Sequence, residues 1–124
     1  MNVIKAAEQV LEINRRKVVF DQPIVDFLVH NDRVIVMFEL ADEMEDDPDF
    51  GRNIFAYDET GKELWRIEDS GIVGPGREDD KEVPWSYTGM GQEADGRIIV
   101  SEPFGFEFDL DPETGKISNP VFTK

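Results

Sequence analysis

Residues 54–67 read Ile54-Phe55-Ala56-Tyr57-Asp58-Glu59-Thr60-Gly61-Lys62-Glu63-Leu64-Trp65-Arg66-Ile67, and Phe108-Asp109-Leu110-Asp111-Pro112-Glu113-Thr114-Gly115-Lys116-Ile117 follow the same plan. Each stretch is an apolar run, an acidic tight turn closing on Thr-Gly-Lys, and a second run. Gly61 supplies the left-handed conformation that a short hairpin loop needs. A β-hairpin written twice points to a repeated β architecture.

Outward from the first copy, Ile24–His30 and Arg33–Leu40 read as strands around an Asn31-Asp32 turn, since Asn and Asp tolerate the positive φ of tight hairpins. Val34, Val36, Phe38 and Leu40 alternate with Ile35 and Met37, so this strand is apolar on both faces and is expected to be central and covered twice. His30-Asn31-Asp32-Arg33-Val34-Ile35-Val36 parallels Ala94-Asp95-Gly96-Arg97-Ile98-Ile99-Val100. Strands are expected at Asn53–Tyr57, Lys62–Ile67, Tyr87–Glu93, Arg97–Ser101, Phe104–Leu110 and Lys116–Ser118, which makes each half a four-stranded antiparallel meander. At the N-terminus, Val3, Ile4, Ala7, Val10 and Leu11 fall at helical spacing behind Asn2, predicting a short amphipathic helix over 3–13. The competing reading extends Val10 to Phe20 as strand.

The expected fold is mainly β in one domain over 1–124. It comprises the helix and a first strand (1–20), a first meander (22–67), an acidic Gly/Pro loop (68–84) and a second meander (85–124). The hydrophobic fraction of 40% is that of a folded protein.

Strand order and turn chemistry together resemble a β-propeller blade. Asp58-Glu59-Thr60-Gly61-Lys62-Glu63-Leu64-Trp65 is similar to the repeats of quinoprotein-type propellers. There the Asp…Thr-Gly-Lys turn links the two outer strands and the Trp docks on the neighbouring blade. The resemblance implies that Gly61 is the turn glycine and Trp65 the docking residue. The second copy keeps Thr114-Gly115-Lys116 but has Ile117-Ser118-Asn119 where the Trp would stand. It covers 22–67 well and 87–118 loosely. Quinone cofactors in that family sit on the axis of a closed ring of about four to eight blades, and two blades close no ring, so no cofactor is carried over. Two blades also leave sheet faces and edges that the helix, a second copy or a partner must cover.

A net charge of −15 repels phosphate backbones and anionic lipid heads, so nucleic acid and membrane are disfavoured as partners. It favours capture of a basic protein. No run of about 18 apolar residues spans a bilayer. The first residues show no signal-peptide pattern, which makes the cytoplasm the expected compartment. With no cysteine and His30 alone, neither a thiolate nucleophile nor a zinc site is expected. Ser70, Ser86, Ser101 and Ser118 lie outside any Gly-x-Ser-x-Gly. Gly74-Pro75-Gly76 and Gly89-Met90-Gly91 lack the strand–helix setting of a phosphate loop. An enzyme is therefore not expected.

The candidate partner-binding residues are acidic and aromatic. Asp42, Glu43, Glu45, Asp46, Asp47 and Asp49 crowd one loop without an EF-hand spacing, and Glu78, Asp79 and Asp80 crowd another. Calcium binding and a solvated loop both remain readings of the first. Trp85 and Tyr87 follow the second as interface anchors, with core packing as the competing role. Trp65 reads as core, His30 as a turn residue, and Arg15-Arg16-Lys17 as a solvated strand edge.

Overall fold

A computed structural model describes residues 1–76 and 81–123, and of Asp42 and Glu43 only the backbone. Strands β1 (Val3–Ala7), β2 (Val10–Ile13) and β3 (Arg16–Val19) form a three-stranded sheet. A four-stranded sheet follows with β4 (Ile24–His30), β5 (Arg33–Phe38), β6 (Ile54–Asp58) and β7 (Glu63–Arg66) in sequence order. A hairpin of β8 (Val73–Pro75) and β9 (Glu82–Pro84) leads to a second four-stranded sheet. That sheet holds β10 (Gly89–Gln92), β11 (Ile98–Ser101), β12 (Phe106–Leu110) and β13 (Ile117–Phe122), also in sequence order. Every pairing is antiparallel.

The two expected meanders are thus present, whereas the N-terminal helix is not. Residues 3–13 form a hairpin instead, with Val3 opposite Ile13, Ile4 opposite Glu12 and Lys5 opposite Leu11. A helix this short is marginal on its own. As a strand, β2 puts Leu11 and Ile13, both fully buried, onto the next sheet and turns Glu12 outward. The β-branched Val3, Ile4, Val10 and Ile13 suit that pleated surface. The apparent helical spacing arose because an irregular register between Lys5 and Ala7 breaks the alternation. Residues 68–84 are likewise not wholly irregular, since the β8–β9 hairpin lies within them.

The first meander is the middle layer of three. Val34, Val36 and Phe38 pack with Leu11, Ile13 and Ile24 on one side. On the other, Ile35, Met37, Ile54, Ala56, Trp65 and Ile67 pack with Tyr87, Ile98, Val100, Phe108 and Leu110 of the second meander. The two-faced β5 is covered twice for this reason.

The repeated turns do the same work in both copies. Asp58 Oδ1 accepts from the Thr60 N–H (2.8 Å), the Thr60 hydroxyl (2.6 Å) and the Lys62 N–H (3.0 Å). Asp111 Oδ1 accepts from the Glu113 N–H (2.9 Å) in the second copy. Gly61 at φ 88° and Gly115 at φ 79° take the left-handed positions.

Trp65 reaches from β7 to the second copy's turn. Its Nε1–H donates to the Pro112 carbonyl (2.9 Å), and a Cβ on Gly115 would lie 2.6 Å from Trp65 Cε3. Arg33 binds the same turn, donating to Pro112 O (3.1 Å) and pairing with Glu113 (3.3 Å). One meander is clamped to the turn of the other.

Candidate partner-binding cleft

The loop after β5 and the β8–β9 hairpin, far apart in sequence, meet at one end of the sheets around a cleft of about 590 Å³. Val25, Leu40, Phe50, Val83 and Pro103 supply apolar wall, Trp85 an aromatic one, and Glu39 and Glu45 two carboxylates.

Residues 42–46 form a 3-10 turn without a side-chain cap at Ala41. Glu45 is buried within it and faces Gly76, where a Cβ would stand 3.1 Å from Glu45 Oε1. Asp46 pairs with Lys81 at the start of the β9 segment, which ties the turn to the hairpin. Asp47 is exposed and its Oδ1 accepts from the Asp49 N–H (2.8 Å). Asp49 pairs with Arg52 (2.9 Å) and approaches Arg66 (4.0 Å). The hydrogen bond from Arg52 above all, with the charge of both arginines, holds the Asp49 carboxyl below the usual carboxylate range. The acidic loop expected to offer a row of free carboxylates therefore spends Asp46 and Asp49 on its own chain. Proximity explains it: the cations that neutralise them come from neighbouring turns of the fold, and the solvated-row reading could not foresee Lys81.

Trp85 is half-buried, its ring 4.8 Å from that of Phe104, with the indole laid against Gly74. A Cβ on Gly74 would come within 2.3 Å of Trp85 Nε1, so the Gly-Pro-Gly stretch makes room for the indole rather than for a phosphate. Tyr87 is a correction to the expected surface anchor. It is 2% exposed, sits between the sheets, and donates its hydroxyl to the Glu68 carbonyl (2.7 Å). Burial, reinforced by Asp69, Glu68 and Glu102, pushes its phenol well above the ordinary value. Glu78, Asp79 and Asp80 lie outside the described residues, and nothing is said of the side chains of Asp42 and Glu43.

Two buried polar residues that the sequence reading passed over shape this end of the molecule. Asn53 donates to Phe38 O (3.0 Å) and Tyr87 O (2.9 Å) and accepts from the Tyr87 N–H (2.9 Å), bridging the meanders at the cleft floor. Glu102, 3% exposed, accepts from the N–H groups of Phe104 (2.9 Å) and Phe106 (2.7 Å) and so folds the β11–β12 turn at the cleft rim. The one hint of either was a polar residue flanking an apolar strand.

Among the described residues no group of three or more His, Asp or Glu gathers to hold a metal ion. Nor is any helix among them long and apolar enough to cross a membrane. The sequence model of a domain of unknown function, DUF7957, matches residues 1–122. The chain belongs to that family. No curated protein matches it.

Proposed function

We propose that this chain is a non-enzymatic acidic binding protein that captures a basic protein partner in the cytoplasm. Its most concrete form is an immunity protein neutralising a basic toxin or nuclease. The observation that carries this reading is the disposition of charge. Asp and Glu number 28 against 13 Lys and Arg. Of those cations, Arg33, Arg52, Arg66, Lys81 and Arg97 are engaged by carboxylates of their own chain. The surplus is negative, and a basic surface would be drawn to it over roughly a Debye length, about 8 Å at physiological salt and 30 Å at 0.01 M.

Calorimetric titration with a panel of basic nucleases, run at low and at physiological salt, tests the reading. Binding that weakens steeply with salt is expected. A salt-insensitive Kd, or no binding at low ionic strength, counts against it.

A second reading, a self-associating module related to propeller blades, is favoured by one observation. The outer layers leave apolar residues uncovered, with Ile4, Val19 and Val121 all more than half exposed. Trp65, seated on the neighbouring sheet's turn, supports the blade-like description of each meander. A stable dimer in light scattering supports this reading over the first.

A further inference from the structure

We infer that two copies of the chain pair edge to edge through β10, antiparallel about a twofold axis at Gly91, so that their second meanders join into one continuous sheet. This rests on the self-associating reading and assigns its seam.

Among the described strands, every sheet edge but one is defended. β1 and β4 carry register irregularities, between Lys5 and Ala7 and between Ile24 and Asp26. β3 presents Arg16 and Lys17, and β7 presents Glu63 and Arg66. Pro75, Pro84 and Pro120 stand in β8, β9 and β13. Charges, prolines and bulges are what keep an edge from taking up another chain's strand. β10 has none of them. It reads Gly89-Met90-Gly91-Gln92, holds an unbroken register on β11, and leaves Gly91 and Gln92 exposed. It also closes the longest stretch of the sequence without Asp, Glu, Lys or Arg, residues 83–92.

The free side of β10 is complementary to itself. The Glu93 N–H donates to Arg97 O (2.8 Å), which sets the alternation along the ladder. Gly91 and Gly89 exchange bonds with Ile99 and Ser101, so Met90 and Gln92 turn their N–H and C=O groups outward. These two residues flank Gly91 symmetrically. In a second copy rotated about Gly91, Met90 meets Gln92 and Gln92 meets Met90, and the backbone groups of both are satisfied. Gly91 then faces its own counterpart at about 4.5 Å between Cα atoms. Charge selects the occupant. A basic partner is drawn to carboxylates, and this strand has none. Two chains of net charge −15 repel wherever they present acid, so they approach best along a strand without it.

A Cβ on Gly91 would meet no atom within 4 Å, and its φ lies outside the left-handed region, so Gly91→Lys and Gly91→Glu leave the monomer intact. Ser118→Lys and Ser118→Glu make the same charge changes on β13, at the far edge of the same sheet. Sedimentation velocity of the whole chain from about 10 µM to about 1 mM covers the affinity of a small interface. The unaltered chain should dimerise, and more tightly as salt screens the like charges. G91K and G91E should each weaken the dimer about fivefold, because like charges stand directly opposite, while their equimolar mixture should match or exceed the unaltered chain. The two variants change the net charge in opposite directions, so repulsion between whole chains would separate them rather than weaken both. The Ser118 variants should stay within about twofold. A monomer up to about 1 mM would overturn both the seam and the self-associating reading. A dimer that G91K and G91E leave unchanged, or that the Ser118 variants weaken equally, would overturn the seam and leave self-association standing. A monomer whose capture of a basic nuclease falls in G91K would give the edge to that partner and overturn the pairing of copies.

Discussion

Gly115→Ala places a methyl group at the point where the two meanders are clamped. Two costs add there. The residue sits at φ 79°, where an alanine loses about 1–2 kcal/mol relative to glycine. Its Cβ would also stand 2.6 Å from Trp65 Cε3 and 3.2 Å from the Arg66 carbonyl oxygen. Neither neighbour yields easily, because the indole is buried and tethered to Pro112 O, and the carbonyl is backbone. Overpacking of this kind costs about 1–3 kcal/mol, so the total loss is about 2–5 kcal/mol. Gly96→Ala is the control: φ is 91°, yet no atom lies within 4 Å of the new Cβ, leaving only the conformational cost of about 1–2 kcal/mol. Urea unfolding followed by far-UV circular dichroism should show a midpoint for G115A about 1 M below that of G96A, at equal slope. In a Trp65→Ala background the excess of G115A over G96A should shrink to the smaller part due to the Arg66 carbonyl, since the closest contacts of the new methyl group are with the indole. If G115A costs no more than G96A in the unaltered background, the docking of Trp65 is not what joins the sheets.

Asn53→Ala should destabilise by about 2–4 kcal/mol in thermal or urea unfolding, because it strands three buried backbone groups; a loss below about 1 kcal/mol would contradict the bridging role. Glu102→Ala should cost about 2–3 kcal/mol and Glu102→Gln less, since the amide keeps one acceptor for the turn; equal losses would show that charge-assisted acceptance is not what holds it. Asp58, held below the usual carboxylate range chiefly by the Thr60 hydroxyl and then by the Lys62 N–H, contributes stability that is present above the unfolded pKa of about 4 and lost as pH falls below it. Asp49 and Asp95 shift the same way, so urea midpoints should fall between about pH 5 and pH 2, and less steeply in Asp58→Asn. Both tyrosines are pushed up, chiefly by burial, so their contribution is intact below the unfolded value of about 10 and is lost above it. Absorbance near 295 nm should therefore show little phenolate in the folded protein at about pH 10.5, and about 1.5 per chain once urea unfolds it, since each free phenol is then about three-quarters ionised; native titration of both near pH 10 would contradict the burial of Tyr57 and Tyr87.

Local chemistry determined the parts of this protein that the sequence alone could disclose. Asp58, Gly61 and Gly115 define their turns within a few residues, and the alternation of Val34 to Leu40 announced a strand buried on both faces. The same alternation was hidden at the N-terminus, where a register irregularity between Lys5 and Ala7 mimicked a helical period and the deciding force was burial of Leu11 and Ile13 on β5. Tertiary structure alone decided which carboxylates remain available and which aromatic rings reach a surface. Asp46 met Lys81, Asp49 met Arg52, Tyr87 went into the core and Trp85 into a cleft wall. The reason is range: turn geometry and side-chain alternation act between neighbours along the chain. Charge neutralisation and burial depend on residues that only the packing of three sheets brings together.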